Sequence, residues 1–485
     1  MRNLPLLALT AIRLAAAART PLSADEAYYW LWSRIPAWGY LDHPPMVAAW
    51  IHAGTSVFGD TAFGVRLLGP LAVLLGSLLL AGAAEDLAPG QGRGTAAALL
   101  FNASLICNAG AVIMTPDTPL LFFWTAALAA LARLIRTQNP YWWLAVGAAC
   151  GLALDSKYTA VLLGGGIVAW LILVPAARHW LWRWQLWAGG ALALALFAPV
   201  LAWNAGHGWA SFAKQGSRAG DWHPAEALRY LAELTGGQIG LATPFVAVIF
   251  AAALIRAGAA LRRRQAVGGL LACVTLIPAL AFLQHALGGR VQANWPAVIY
   301  PGAALAAACL GPALPSLWRP AVAMGLALSG LVLLQAAAAP FSLPRALDFT
   351  LIRLAGWQDL AGSVFVAQSQ AHADFVAADE YGLASELAFR LRGPVLGVEK
   401  RWALFGLATP NLAGRTGILI RSDRAYGPPD PAPWASLAQI GTATRGRAGI
   451  PAETYRLYRV LGRAPGPPGP PAILLPANRA LFNPS

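Results

Sequence analysis

Two adjacent carboxylates, Asp25 and Glu26, open a stretch dense in aromatic residues: Tyr28, Tyr29, Trp30 and Trp32, with Trp38 a little further on. A carboxylate pair beside such a belt can be desolvated enough to act as a base while staying open to a substrate from the water side. The plain alternative is a helix cap, because Ser23 to Glu26 has the spacing of a capping box for a helix beginning at Ala27. Asp42-His43-Pro44-Pro45 follows. It reads as a rigid turn presenting an acid and an imidazole, or equally as a helix start with proline in its first turn.

Further along, Thr115-Pro116-Asp117 stands at the head of an apolar run, where Asp117 could serve chemistry or cap the helix. Lys157, in Asp155-Ser156-Lys157-Tyr158, is one of three lysines in the chain and lies between two apolar runs. A lysine there suits an anionic ligand such as a phosphate; the alternatives are a snorkelling side chain or a partner for Asp155. Arg290, Gln292, Asn294 and Trp295 occupy a later turn, and an arginine there could clamp a phosphate in two-pronged fashion or simply anchor the turn. The loop from Asn204 to His223 carries Lys214, Arg218 and Asp221 among Trp209, Phe212 and Trp222, an acceptor surface or an ordinary interfacial loop.

The seven histidines match no compact ligand spacing, so no metal is expected. The four cysteines, Cys107, Cys150, Cys273 and Cys309, all fall in apolar stretches without a CxxC and read as packing residues.

The elements that must position these residues follow from composition. In 485 residues, 58% are hydrophobic and only 12% charged, against roughly 25% charged in ordinary globular domains. That excludes a disordered chain, a disulfide-stapled secreted scaffold and a coiled coil. The net charge of +14 comes mainly from arginines at the ends of apolar runs, so it speaks for membrane topology and against nucleic acid.

Runs of about 20 apolar residues predict eleven transmembrane helices, near 3–19, 64–84, 95–115, 118–137, 140–155, 157–176, 186–203, 237–257, 266–286, 297–314 and 320–339. The first is read as an uncleaved helix despite its likeness to a signal-peptide core, because Arg13 interrupts it and many spans follow. Arginines gather in alternate loops, which the positive-inside rule assigns to the cytoplasm. Loops 20–63 and 204–236 and everything after residue 340 then face outward. Of the eleven carboxylates before residue 340, only Glu85 and Asp86 fall inside, so the chemistry is expected on the outer face.

Residues 1–340 therefore read as a membrane domain and 341–464 as a small α/β domain outside it. Helical periodicity covers Leu351 to Val366 and Ala384 to Leu391, with strand patterns at Phe375 to Ala378, Gly417 to Ile420 and Tyr455 to Val460. The Pro/Gly-rich tail 465–485 is expected to be disordered.

Taken in order, Asp25-Glu26-Ala27-Tyr28-Tyr29-Trp30-Leu31-Trp32, Asp42-His43-Pro44-Pro45, Pro116-Asp117-Thr118-Pro119-Leu120, Ser156-Lys157-Tyr158-Thr159, Trp203-Asn204 with Trp209 and Ser211-Phe212, Gly236-Gly237-Gln238 and Gln292-Ala293-Asn294-Trp295-Pro296 resemble the motifs of bacterial family-39-like glycosyltransferases. These belong to the GT-C class, with protein O-mannosyltransferases and the aminoarabinose and galacturonosyl transferases of lipid A. The resemblance covers residues 1 to about 340, and Tyr381 to Phe389 resembles the start of the family's outer domain.

The resemblance implies sugar transfer from a polyprenyl-phosphate donor to an envelope acceptor (lipid A or core, glycan, lipid or protein) on the periplasmic face of the bacterial inner membrane, without a cofactor. It gives Asp25 the role of catalytic base, Glu26 a supporting one, and Lys157 and Arg290 the donor phosphate. Asp42, His43, Asp117, Tyr158 and Asn294 are the further substrate-binding candidates. The chain carries His43 where the aminoarabinose transferases have a lysine before the first-loop proline. Two other classes fit the composition: a transporter or flippase for a lipid-linked sugar, with Asp25 and Glu26 as proton carriers, and a glycolipid-binding protein without activity.

Overall fold

The computed structural model describes residues 4–216, 223–311, 314–463 and 472–478. They form two compact units, one of Met1–Leu14, Leu41–Val47 and Leu68–Leu333, the other of Ala15–Tyr40, Ala48–Leu67 and Leu334–Ser485. This division departs from a boundary near residue 340. Much of the first long loop groups with the C-terminal residues, a partnership that no local pattern in the loop reveals.

Among the described residues, six helices are long and apolar enough to cross a membrane: Ala62–Leu87, Asp117–Thr137, Trp184–Gly206, Pro244–Arg262, Ala266–Ala286 and Pro315–Ala338. Two bent pairs raise the number to eight, Gly94–Asn102 with Leu105–Val112 at 91° and Tyr158–Leu173 with Pro175–Trp182 at 107°. The remaining three of the eleven expected spans correspond to shorter helices. The first helix, Leu4–Arg19, has 16 residues, and Trp142–Leu154 has 13. At 1.5 Å per residue, both fall short of the roughly 30 Å hydrocarbon layer.

The core of the first unit is built from helix faces carrying Leu100, Trp124, Leu131, Leu163, Trp170, Val246, Leu271 and Leu305. Small residues set the closest helix crossing. A β-carbon on Gly147 would meet the Gly189 carbonyl oxygen at 2.0 Å, so the helices Trp142–Leu154 and Trp184–Gly206 touch backbone to backbone.

The break at 102–105 is held by polar groups, as apolar surroundings require. Buried Arg13 donates to Asn102 Oδ1 at 2.6 Å and to Asn108 Oδ1 at 2.8 Å, and Asn108 Nδ2 in turn reaches the Asn102 carbonyl at 2.9 Å.

The second unit contains a six-stranded sheet: β1 (Phe375–Ala378), β2 (Val395–Gly397), β3 (Thr416–Ser422), β4 (Trp434–Arg447), β5 (Ile450–Gly462) and β6 (Ile473–Leu474), in the order β4-β5-β3-β1-β2-β6. β1 runs parallel to both β2 and β3, and the other pairs are antiparallel. Every residue of β1 and β2 is buried, consistent with short, continuous apolar runs covered on both faces. The helices Trp357–Gln370 and Tyr381–Arg390 pack on this sheet.

β1, β3 and β5 lie where the sequence places strands. The helix expected over 351–366 is divided at Gly356, whose φ of +76° a β-carbon would resist. Residues 472–478, assigned from sequence to a disordered tail, depart from that expectation. β6 pairs with β2, and Asn478 donates to the carbonyls of Asp60 and Phe389. The rest of the tail, 465–471 and 479–485, lies outside the described residues.

Candidate active site

In the second unit, the helix Ala24–Arg34 begins with a complete capping box. Ser23 Oγ accepts from the Glu26 amide, and Glu26 Oε2 accepts from the Ser23 amide at 3.0 Å. The structural alternative thus holds for Glu26, and burial reinforces it. Arg66 grips both carboxylate oxygens at 2.6 Å, with neither side chain exposed, and spends its other protons on the carbonyls of Thr20 and Pro21. Glu26 thus anchors the start of this helix through Ser23 and Arg66.

Asp25, one residue earlier, is half-buried. The Tyr381 hydroxyl donates to its Oδ1 at 2.9 Å. Tyr381 comes from the helix Tyr381–Arg390, which approaches so closely that a β-carbon on Gly382 would lie 2.9 Å from the Ala24 Cβ. Arg401 lies 4.0 Å over the Tyr381 ring and 5.4 Å over that of Tyr28, with its Nε 3.0 Å from Glu399. Deeper in the same helix, burial outweighs the nearby Arg390 guanidinium and pushes the Glu386 carboxyl up to about 7.

The first unit gathers a second polar group. Asp117 is the first residue of the helix Asp117–Thr137, where the helix dipole favours a negative charge. Its side chain does not cap: Lys157 Nζ donates to Oδ1 at 2.7 Å and Asn294 Nδ2 to Oδ2 at 2.6 Å. Lys157 therefore pairs with Asp117, not with Asp155. Both charges are buried, and the ammonium stands 5.9 Å over the Trp295 ring.

The motifs around these residues brace one another. Gln238 donates to the Ala293 carbonyl at 2.8 Å, and a β-carbon on Gly237 would meet the Ala293 Cβ at 3.0 Å. The Tyr158 hydroxyl shares a 2.6 Å hydrogen bond with Ser211 Oγ, and the Phe212 ring stands 4.9 Å from that of Tyr158.

The Asp42 carboxylate pairs with Lys214, and its carbonyl accepts from Gln215 at 2.7 Å. Half-buried His43 sits in the same turn, which is tied down by a 3.0 Å bond from the Met46 amide to the Asp155 carbonyl. Arg290 pairs with Glu233 at 2.8 Å and is 69% exposed, so its contacts differ from those of Lys157. Arg218, Asp221 and Trp222 lie outside the described residues. Among the described residues, no three His, Cys, Asp or Glu side chains are placed to hold a metal ion.

Sequence reasoning missed Arg66 as the partner of Glu26 and Arg401 as the neighbour of Tyr28. These contacts join residues 40 or more positions apart, and no local spacing announces them.

Comparison with known proteins agrees with the motif order. The family model for dolichyl-phosphate-mannose-protein mannosyltransferase matches residues 42–203. The lipid A galacturonosyltransferase RgtD of Rhizobium johnstonii is 28% identical over 382 residues, covering 77% of this chain and 78% of that one. The undecaprenyl phosphate-alpha-4-amino-4-deoxy-L-arabinose arabinosyl transferase of Pseudomonas aeruginosa is 33% identical over 170 residues, 33% of this chain and 29% of that one. The crystal structure of ArnT from Cupriavidus metallidurans bound to undecaprenyl phosphate shares the fold, with a TM-score of 0.66 at 15% identity over 94% of this chain and 97% of that one. With its ordered motifs and multi-pass helical architecture, the chain is a membrane glycosyltransferase and is similar to the GT-C enzymes of the family-39-like group.

Proposed function

We propose that the protein transfers a sugar from a polyprenyl-phosphate donor to an envelope acceptor, with lipid A as the acceptor class, at the periplasmic face of the bacterial inner membrane. The observation that carries this reading is the unequal fate of two adjacent carboxylates. Glu26 is sealed by Arg66, whereas Asp25 is half-buried and held by a phenol. This contrast supports Asp25 as the carboxylate that meets the acceptor hydroxyl.

Asp25 takes the proton from the acceptor hydroxyl as its oxygen attacks the anomeric carbon. The bond from that carbon to the phosphate oxygen breaks on the opposite side, and the lipid monophosphate leaves with the electron pair. A single displacement inverts the anomeric centre.

Negative charge gathers on the departing phosphate, where charged hydrogen-bond donors stabilise it most. Lys157 supplies three N–H groups, of which the bond to Asp117 uses one. Asp117, itself held by Asn294, keeps the ammonium in place. Arg290 forms an exposed ion pair worth about 0–1 kcal/mol, so a phosphate can take it from Glu233 at small cost. Asp42, His43 and Tyr158 are proposed to contact the sugar or its acceptor. Two cationic side chains offset a monophosphate, so no metal is required. The relatives support the donor and acceptor classes: one is named for lipid A, another for undecaprenyl phosphate-linked aminoarabinose.

The test is transfer by purified protein in proteoliposomes, with EDTA present. The donors are undecaprenyl phosphate carrying galacturonic acid, aminoarabinose or mannose, the acceptor is lipid A, and products are read by mass spectrometry. A new glycosidic bond of inverted configuration from one of these donors is expected. Efficient turnover of a nucleotide sugar without lipid donor, or movement of the donor across the bilayer without a new bond, overturns the reading.

A further inference from the structure

The C-terminal sheet delivers two side chains to Asp25. In a parallel arrangement of strands, the carboxyl ends on either side of the point where connections diverge are where functional groups collect. β1 is that point here, with parallel neighbours on both sides. Tyr381 lies just past the end of β1, and Arg401 just past the end of β2. Their contacts form a chain: Glu399 Oε2 to Arg401 Nε at 3.0 Å, the Arg401 guanidinium 4.0 Å over the Tyr381 ring, and the Tyr381 hydroxyl to Asp25 Oδ1 at 2.9 Å. Arg401 also reaches the Tyr28 hydroxyl at 3.4 Å, and the rings of Tyr28 and Tyr381 stand 4.6 Å apart.

We propose that Tyr381 and Arg401 are positioning residues for the Asp25 carboxylate, so that the C-terminal α/β domain takes part in the transfer reaction. Two effects combine. The phenol fixes the direction of the carboxylate and, as a donor to its charged form, favours that form over the acid. The guanidinium, drawn to the electron-rich ring face, holds the ring and draws electron density from it, which makes the hydroxyl a better donor. Arg401 is itself 13% exposed, so solvent weakens this contact little.

Other charged groups packed on the Asp25 helix are arranged differently. Arg66 is committed to Glu26, and Glu386 lies with Arg390 on the helix Tyr381–Arg390. Arg34, at the far end of the Asp25 helix, pairs with Asp60 at 3.2 Å. Tyr381 donates a hydrogen bond to Asp25 from the C-terminal residues, and the Arg401 guanidinium is stacked on its ring.

This inference rests on Asp25 as the base, and the experiment separates the two claims. Full-length Tyr381→Phe, Arg401→Gln, Arg401→Lys and Asp25→Asn are assayed for transfer from the undecaprenyl phosphate sugar to lipid A across pH 5 to 9. Tyr381→Phe deletes one oxygen. It should lower kcat about 5- to 20-fold with donor KM unchanged, and move the acidic limb of the rate profile up by roughly 0.5 to 1 pH unit. Arg401→Gln should shift the limb in the same direction by less, and Arg401→Lys should restore most of it. An unmoved limb with an even loss of rate at all pH values reduces both residues to packing and overturns the proposal. Asp25→Asn decides the rest: near-normal transfer removes the base itself, whereas a dead Asp25→Asn beside an unchanged Tyr381→Phe sinks the positioning role alone.

Discussion

Changing Asp25 and Glu26 one at a time should produce opposite kinds of damage, although the two are neighbours of the same chemical type. Glu26→Gln keeps the shape but removes the charge that Arg66 holds at 2.6 Å through both oxygens, with both side chains fully buried. Arg66 then remains as a buried cation that meets the carbonyls of Thr20, Pro21 and Ala17 and a neutral amide in place of the carboxylate. Breaking such a pair from one side costs about 3–5 kcal/mol. For 150–250 residues, each kcal/mol moves Tm by roughly 2–4 °C, so a fall of about 6–20 °C is expected.

Asp25→Asn leaves an oxygen that still accepts from Tyr381 and leaves the capping box untouched, so Tm should move little. Transfer should drop by about 10² to 10⁴, the usual weight of a general base. The assay pairs thermal unfolding by intrinsic tryptophan fluorescence with single-turnover transfer in proteoliposomes. A stable but inactive Glu26→Gln would move the chemistry to Glu26. Near-normal transfer by Asp25→Asn would remove Asp25 from the mechanism.

Three further outcomes follow from the geometry. Lys157→Met should unfold or aggregate because it strands Asp117, and adding Asp117→Asn should recover folding but not transfer, as read by size-exclusion chromatography and product formation. Glu386 has its folded pKa raised by burial from 4.5 to about 7. Its contribution to stability is thus full below about pH 4.5 and lost as pH rises to about 7; Tm should fall across that window by an amount that Glu386→Gln flattens, and an unchanged slope in the variant would contradict the assignment. For topology, a cysteine at Tyr426, which is 98% exposed, should react with an impermeant maleimide added to intact spheroplasts, whereas one at Gln265 should not; the reverse pattern would invert the orientation.

What was legible in the sequence shares one property: it is carried by neighbours along the chain. Apolar runs of spanning length, arginines at their ends, the capping box at Ser23 to Glu26 and the short apolar strands β1 and β3 are all local signals, set by solvation and by the period of each element. The motif order was readable for the same reason, since each motif is a few adjacent residues. The helices differ from the expected spans where a run bends or stops early, as at Asn102 and after Leu154, because hydropathy registers composition and not backbone direction.

Only the tertiary structure decided which carboxylate is fully buried. Asp25 and Glu26 have the same intrinsic acidity within a few tenths of a unit, and the capping-box spacing of Ser23 to Glu26 marks Glu26 as a cap without saying how deeply either carboxylate is buried. Arg66 arrives from 40 residues away to bury one, and Tyr381 from 356 residues away to orient the other. Lys157 likewise turned to Asp117, 40 residues back, and away from Asp155 two residues before it. Ion pairs inside a fold form wherever burial makes an unpaired charge most costly, and burial is a property of packed elements that no stretch of sequence carries alone.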